Sequence, residues 1–363
     1  MQNNKIDTIL LIAPSIHMGG MQNSIVNLAN NLANSGLFVE MYAIFKLEHF
    51  FKLDIRIKFS ESPKSPQCYN LITRILSIIF NIRKIAKRSK SQTIIVYGKF
   101  YSALTLLATV GLRKRVFISD RASPLYHGSY HGKLLTNMIF FFIKPYGIIA
   151  QTNISAKYQC QQFGKNIPIE VIPNFVREIK KYDCNREKIV LAVGRFGDKL
   201  KGFDRLIEAW GKVNSPDWKL IFAGGSEYED PGLGNRAKVL GVYDTIIFLG
   251  KVSNMDILYA KSSIFVIPSR SEGFPNALIE AMCAGLACIS FDFIAGPRDI
   301  IEDKVNGLLV PEGDIDMLAI AIRSLINNPQ LRSKYSSNAE SLKTHFETKK
   351  IINKFINFIS CGL

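Results

Sequence analysis

Short apolar runs rich in β-branched residues recur along this chain, and several close on glycine before an amphipathic segment begins. Thr8-Ile-Leu-Leu-Ile-Ala13 leads through Gly19-Gly20 into a helical pattern over residues 23–34, with Ile25, Val26, Leu28, Ala29 and Leu32 on one face. Gly36 stops that helix, and residues 38–45 read as the next strand. Strand, helix, strand in this order demands a parallel sheet covered by helices, because parallel strands cannot be joined by a tight turn. Residues 93–97, 116–119 and 148–152 read as further strands of the first half. The same grammar returns later: residues 189–193 run into Gly194, 218–223 into Gly224-Gly225 and 246–249 into Gly250, with another strand at 287–290. A chain of 363 residues holds about two domains of this kind. The polar, charged run from Arg177 to Lys188 is the natural place to divide them.

The stretch from Pro268 to Gly285 carries the chemistry. Ser263-Ile-Phe-Val-Ile267 reads as a buried strand, Glu272-Gly-Phe-Pro275 as a tight turn with Pro275 placed as the first helical residue, and the helix that continues from Asn276 stops near Gly285. A strand, a glycine turn and a helix N-terminus together offer backbone N–H groups and a positive dipole end to an anion. Glu272 and Glu280 frame this turn. Carboxylates repel phosphate, so they serve hydroxyl donors such as those of a sugar or ribose. Amides for an anion beside carboxylates for hydroxyls describe a nucleotide-sugar site.

With seven residues between its two glutamates, SEGFPNALIEAMCAG resembles the E-x7-E signature of family 4 glycosyltransferases. That resemblance implies an α/β protein of the GT-B fold, with two Rossmann-like doubly wound domains facing a central cleft, and transfer with retention of anomeric configuration. Val171-Ile-Pro-Asn-Phe175 is similar to the family's interdomain linker. The expected domains are thus residues 1–174 for the acceptor and 186–345 for the nucleotide sugar, with a helix at 349–360 packing back on the first. Gly296-Pro-Arg-Asp-Ile-Ile301 and Asn306-Gly-Leu-Leu-Val-Pro311 resemble further family segments, with Asp299 where Glu is usual.

The resemblance also implies roles. Glu280 would accept hydrogen bonds from the ribose and Glu272 from the donor sugar, with the Gly273 and Phe274 amides, Pro275 and Asn276 completing the donor pocket. Gly19-Gly20 is similar to the glycine turn that approaches the donor phosphate, although paired glycines also make plain turns. His17, two residues earlier, reads as a loop residue. Arg195 and Lys201 match the family's diphosphate-binding cations, and the chemistry agrees: charge grows on the diphosphate as the glycosidic bond breaks, and fixed cations stabilise it. Many relatives carry a His-Asp pair near the segment Ser119–Pro124; this chain has Asp120-Arg121. Asp120 is therefore either the acceptor of the hydroxyl proton or the ion-pair partner of Arg121. No D-x-D motif stands in a plausible active-site loop, so no metal or other cofactor is expected.

Charge bounds the partners. Of the net +16, residues 1–175 hold 21 Lys+Arg against 7 Asp+Glu, and the remainder 25 against 23. This asymmetry points to an anionic partner, with an anionic membrane surface as the candidate and no nucleic-acid recognition motif in view. Residues 71–90 form an amphipathic helix ending in Arg83, Lys84, Lys87, Arg88 and Lys90; Leu71, Ile75, Ile78, Ile79 and Ile82 would cover the sheet while the polar face meets lipid. Met138-Ile-Phe-Phe-Phe-Ile143 reads either as a second interfacial segment or as a buried helix. No apolar run is long enough to span a membrane, no signal peptide is evident, and six scattered cysteines form neither zinc nor disulfide patterns. A cytoplasmic enzyme, peripheral at the inner face of the plasma membrane, is expected. Its donor would be UDP-N-acetylhexosamine or UDP-hexose, with GDP-mannose behind, and its acceptor a saccharide carried on polyprenyl diphosphate in bacterial polysaccharide or glycan assembly. A nucleotide-sugar epimerase of similar fold and a non-catalytic GT-B subunit are the alternatives.

Overall fold

The computed structural model describes residues 8–17, 19–63, 70–121, 123, 129–294, 296–344 and 346–360. Cys68, Cys361, Ala122 and Pro124 lie outside the described residues. The chain divides into two units, Met1–Phe175 with Glu347–Leu363, and Val176–Phe346.

In the first unit strands and helices alternate, except that the third strand follows the second directly. They run β1 (Thr8–Ala13), α1 (Gly20–Asn34), β2 (Phe38–Ala43), β3 (Lys58–Glu61), α2 (Leu71–Arg88), β4 (Thr93–Tyr97), α3 (Lys99–Thr109), β5 (Arg115–Ser119), α4 (Tyr130–Phe142), β6 (Gly147–Ala150), α5 (Asn153–Phe163) and β7 (Ile169–Val171). Seven parallel strands lie in the order β3-β2-β1-β4-β5-β6-β7. Helices on both faces explain why β4 is buried along its whole length and reads as a continuous Thr-Ile-Ile-Val-Tyr run. Two strands escaped the sequence reading, both at the sheet edges. β3 alternates exposed and half-buried residues and β7 has three half-buried ones, so neither shows an apolar run.

The second unit repeats the plan with β8 (Ile189–Val193), α6 (Phe203–Val213), β9 (Lys219–Ala223), α7 (Pro231–Val239), β10 (Ile246–Phe248), α8 (Met255–Lys261), β11 (Ile264–Ile267), α9 (Asn276–Cys283), β12 (Ala287–Phe291), β13 (Leu308–Val310), α10 (Ile315–Asn327) and α11 (Pro329–Glu340). Its six parallel strands are ordered β10-β9-β8-β11-β12-β13. The chain winds outward from β8 to β10 and then crosses back to β11, so the strand order reverses between β8 and β11. In open α/β sheets the crevice at that reversal, beyond the carboxyl ends of the strands, is where ligands bind.

The last helix, α12 (Thr348–Ser360), belongs to the first unit. Phe358 meets Phe117 of β5 edge to face at 5.6 Å, and Gly147 leaves room for them: a Cβ there would come within 2.8 Å of the Phe117 ring. Lys354 fastens the helix to β7, donating to the Val171 carbonyl and pairing with Glu170, both at 2.8 Å.

The helix α2 differs from the sequence reading, and α4 departs from the buried alternative. On α2, Ile78, Ile82 and Ala86 are buried and Ile75 and Ile79 half-buried, but Leu71 is exposed, because the helix begins beyond the sheet it covers. On α4 only Thr136, Ile139 and Phe140 are buried, while Met138, Phe141 and Phe142 face outward. A run of consecutive apolar residues wraps around a helix, so one sheet cannot cover all of them.

Candidate active site

At the reversal in the second sheet, the loop after β8 and the loop after β11 are stapled together. The Arg270 amide donates to the Leu200 carbonyl at 2.8 Å, and the Arg270 guanidinium grips Asp204 with both Nη groups, at 2.8 and 2.5 Å. The Asp204 carboxyl is held below its ordinary pKa, first by those Arg270 bonds. Gly202 completes the join. Its φ of +66° lies in the left-handed region, and a Cβ there would sit 2.0 Å from the Pro268 carbonyl oxygen.

This staple sets Lys201 against Glu272. The Lys201 Nζ lies 2.9 Å from Glu272 Oε1, and the Ser269 hydroxyl donates to the same oxygen at 2.8 Å. Both side chains are largely buried, at 24% and 13% exposure, so the pair is shielded but open to a ligand. Arg195 stands on the same loop and is exposed. Its neighbour Phe196 anchors that loop in a cluster with Phe203, Phe222 and Phe248. Gly225 makes this possible, since a Cβ there would overlap the Phe196 ring at 2.6 Å.

Across the turn, Phe274 and Pro275 are buried and fix the start of α9, while Gly273 and Asn276 remain half-exposed. Among the described residues, neither the Gly273 nor the Phe274 amide has a backbone acceptor. Asn276, rather than Pro275, is the first residue of the helix. Glu280, one turn on, accepts from the Tyr259 hydroxyl at 3.2 Å and lies 3.3 Å from Arg177, which also holds Asp256 at 2.5 Å. Burial raises the Glu280 carboxyl above the ordinary glutamate pKa, while Arg177 and the Tyr259 bond act in the opposite sense. Burial likewise drives the Tyr259 phenol well up. Sequence reasoning missed Arg177, Tyr259, Asp204 and Ser269 as companions of the two glutamates. Arg177, Tyr259 and Asp204 come from separate elements that no spacing rule joins to the glutamates, while Ser269 lies three residues before Glu272 in the same loop.

Gly19 and Gly20 lie at the N-terminus of α1 in the first unit, and a Cβ on Gly20 would meet nothing within 4 Å. The packing of the protein itself therefore does not require glycine at position 20. His17 is a loop residue whose Nδ1 lies 3.0 Å from the Glu48 carbonyl oxygen. Asp120 follows β5, and its charge acts on Lys99 and Arg121. Arg121 commits both Nη groups elsewhere, to the Asn174 side chain at 2.6 Å and the Tyr97 hydroxyl at 2.7 Å, with its guanidinium 4.4 Å from the Tyr97 ring centre. Asn174 also accepts from Ser24 and Gln151, so it ties α1, β4, β5 and β6 at one end of the sheet. Among the described residues, no three His, Cys, Asp or Glu side chains converge as a metal ligand set.

Residues 176–342, nearly all of the second unit, match the model of the family "Glycosyl transferases group 1". The chain is 28% identical over 343 residues to an uncharacterized glycosyltransferase of Haemophilus influenzae, covering 93% of this chain and 95% of that one. It is 25% identical to the Campylobacter jejuni enzyme GalNAc-alpha-(1->4)-GalNAc-alpha-(1->3)-diNAcBac-PP-undecaprenol alpha-1,4-N-acetyl-D-galactosaminyltransferase, over 97% of this chain and 98% of the other. In fold it is similar to Anabaena Alr3699/HepE in complex with UDP and glucose, with a TM-score of 0.79 at 17% identity, covering 97% and 99% of the two chains. Two Rossmann-like units, each built on a parallel sheet of this strand order, constitute the GT-B fold. The protein is a glycosyltransferase.

Proposed function

We propose that the protein is a retaining glycosyltransferase of family 4 that moves a hexose or N-acetylhexosamine from a UDP-sugar to a saccharide carried on polyprenyl diphosphate. The observation that carries the reading is the Lys201–Glu272 pair held at the β8–β11 reversal, with Glu280 one turn into α9. A cation for the diphosphate, a carboxylate for sugar hydroxyls and a second carboxylate for ribose hydroxyls are the kinds of group a nucleotide sugar needs. HepE carries UDP and glucose in a chain of the same fold, which supports the donor class. The polyprenyl-linked acceptor of the Campylobacter enzyme, similar along its whole length, supports the acceptor class and a part in bacterial glycan assembly.

In this reading Lys201 and Arg195 face the diphosphate, and their charge gains strength as negative charge develops on the leaving oxygen. Glu272 Oε1 is taken by Lys201 and Ser269, so Oε2 is the oxygen offered to a donor-sugar hydroxyl. Glu280 receives the ribose hydroxyls. The Gly273 and Phe274 amides face the sugar, with Pro275 and Asn276 shaping the pocket, and Gly19 and Gly20 are assigned to the donor phosphate. Asp120 accepts the acceptor proton. The two cations supply the positive charge that a divalent ion supplies elsewhere, and no cofactor takes part. Retention follows from attack on the face the diphosphate leaves.

The test is a thermal-shift panel of UDP, GDP, ADP and their sugars, followed by transfer from the active donor to a polyprenyl-diphosphate saccharide. Stabilisation by UDP and an α-linked product from an α-linked donor are expected. No shift with any nucleotide at millimolar concentration overturns the donor site. An inverted product overturns retention.

A further inference from the structure

The proposed acceptor is anchored in a lipid bilayer, and the first unit carries a surface with the composition to meet one. Its α3 packs against α2 on one side and α4 on the other, so the three helices form one layer over the sheet. The outward faces of the two flanking helices are apolar. On α2, Ile72, Leu76 and Phe80 follow each other at four-residue spacing and are 72%, 60% and 66% exposed. On α4, Tyr130, Leu134 and Met138 do the same and end in Phe141 and Phe142, 73% and 76% exposed. Side chains four apart on a helix share a face, so each series forms a stripe along its helix. Exposed contiguous apolar surface of this kind marks an interaction site.

The charge around these stripes decides the partner. From Ser62 to Ile169, the stretch that forms α2 to α5, the chain holds 16 Lys+Arg and one acidic residue, Asp120. The stripe on α2 runs directly into exposed Lys84, Lys87 and Arg88. Arg83 turns inward instead, donating to the Ala108 and Val110 carbonyls at 2.8 and 2.9 Å, which holds α2 against the end of α3. On α4 the stripe is flanked by exposed Lys133 and Lys144. A second copy of this chain would bring the same positive surface against itself. Nucleic acid would meet the cations but leave the phenylalanines in water. Anionic lipid satisfies both, with acyl chains for the Phe and Leu side chains and headgroups for the lysines.

We infer that the α2–α4 face docks on an anionic bilayer, with Phe80, Phe141 and Phe142 entering the acyl boundary and Lys84, Lys87 and Lys144 at headgroup level. On α2 this puts the exposed apolar side, rather than the polar face alone, against lipid, and for residues 138–143 it takes the interfacial alternative. The purpose of the surface rests on the transferase reading; its evidence does not. Although no helix among the described residues is long and apolar enough to span a membrane, interfacial seating needs no span.

The experiment is vesicle flotation of the full chain, with phosphatidylcholine alone and with phosphatidylcholine containing phosphatidylglycerol. Binding is expected on the anionic vesicles only, weakening with salt. Lys84→Gln with Lys87→Gln should reduce partitioning by about 30-fold, and Phe141→Ser with Phe142→Ser by roughly 100-fold. Both variants should keep the wild-type circular-dichroism spectrum and the melting transition of the first unit, which establishes that this unit folds. Absence of wild-type flotation overturns the proposal, as does equal binding to neutral vesicles. Unchanged flotation of either variant overturns the assignment to this face. Dimerisation abolished by the Phe substitutions, without flotation, makes a second copy the occupant and overturns it too. A missing UDP shift with normal flotation refutes the UDP-sugar reading and leaves the lipid surface standing.

Discussion

Gly202→Ala tests the join that brings Lys201 to Glu272. At φ +66° a non-glycine residue costs about 1–2 kcal/mol. The new Cβ would also lie 2.0 Å from the Pro268 carbonyl oxygen, about 1 Å inside the closest approach that real Cβ atoms make. That oxygen belongs to backbone, so relief requires the loop itself to move, at an overpacking cost of about 1–3 kcal/mol. The sum is about 2–5 kcal/mol for the second unit. Gly241→Ala is the matched control: its φ is +68°, but a Cβ there meets nothing within 4 Å, so only the conformational cost of about 1–2 kcal/mol applies. The two tryptophans of the chain, Trp210 and Trp218, are both buried in the second unit, so tryptophan fluorescence during urea unfolding reads that unit by itself. A loop displaced by about 1 Å should also lower turnover by roughly 100-fold, while Gly241→Ala leaves it near wild type. Equal stability losses in the two variants, or full turnover in Gly202→Ala, would refute the argument.

Three further outcomes are expected. Lys201→Ala should lower kcat by roughly 100- to 1000-fold with a smaller change in KM, because its charge matters most as the diphosphate departs; steady-state kinetics decides, and unchanged kcat removes Lys201 from the mechanism. UDP affinity should be full above the raised pKa of Glu280 and fall as pH drops through it, since ribose hydroxyls donate to the carboxylate and binding draws on the charged form. Calorimetric titration of Glu280→Gln should show that slope gone, and Arg177→Ala should move it to higher pH, because Arg177 holds the carboxyl down; a slope indifferent to both substitutions would argue against Glu280 as the ribose acceptor. Arg121→Leu leaves the Tyr97 hydroxyl and Asn174 without their cation and should destabilise the first unit by about 2–4 kcal/mol. Circular dichroism should register that loss in a transition to which tryptophan fluorescence is silent.

By itself the sequence determined the alternation of strands and helices, and hence the parallel sheets, because buried strands leave continuous apolar runs and their connections leave helical periodicity. It also put Glu272, Gly273, Phe274, Pro275, Asn276 and Glu280 within one strand–turn–helix unit, which made them candidates for a donor site. Tertiary structure decided what those residues touch. Glu272 meets Lys201 across 71 positions, and Glu280 meets Arg177 and Tyr259 from other elements, through contacts created by strand order rather than spacing. The edge strands β3 and β7 became visible only through their pairing with β2 and β6. Apolar content alone likewise could not tell which side of α2 and α4 faces the sheet. The sheet covers only one side of a helix, and packing selects which apolar residues remain outside.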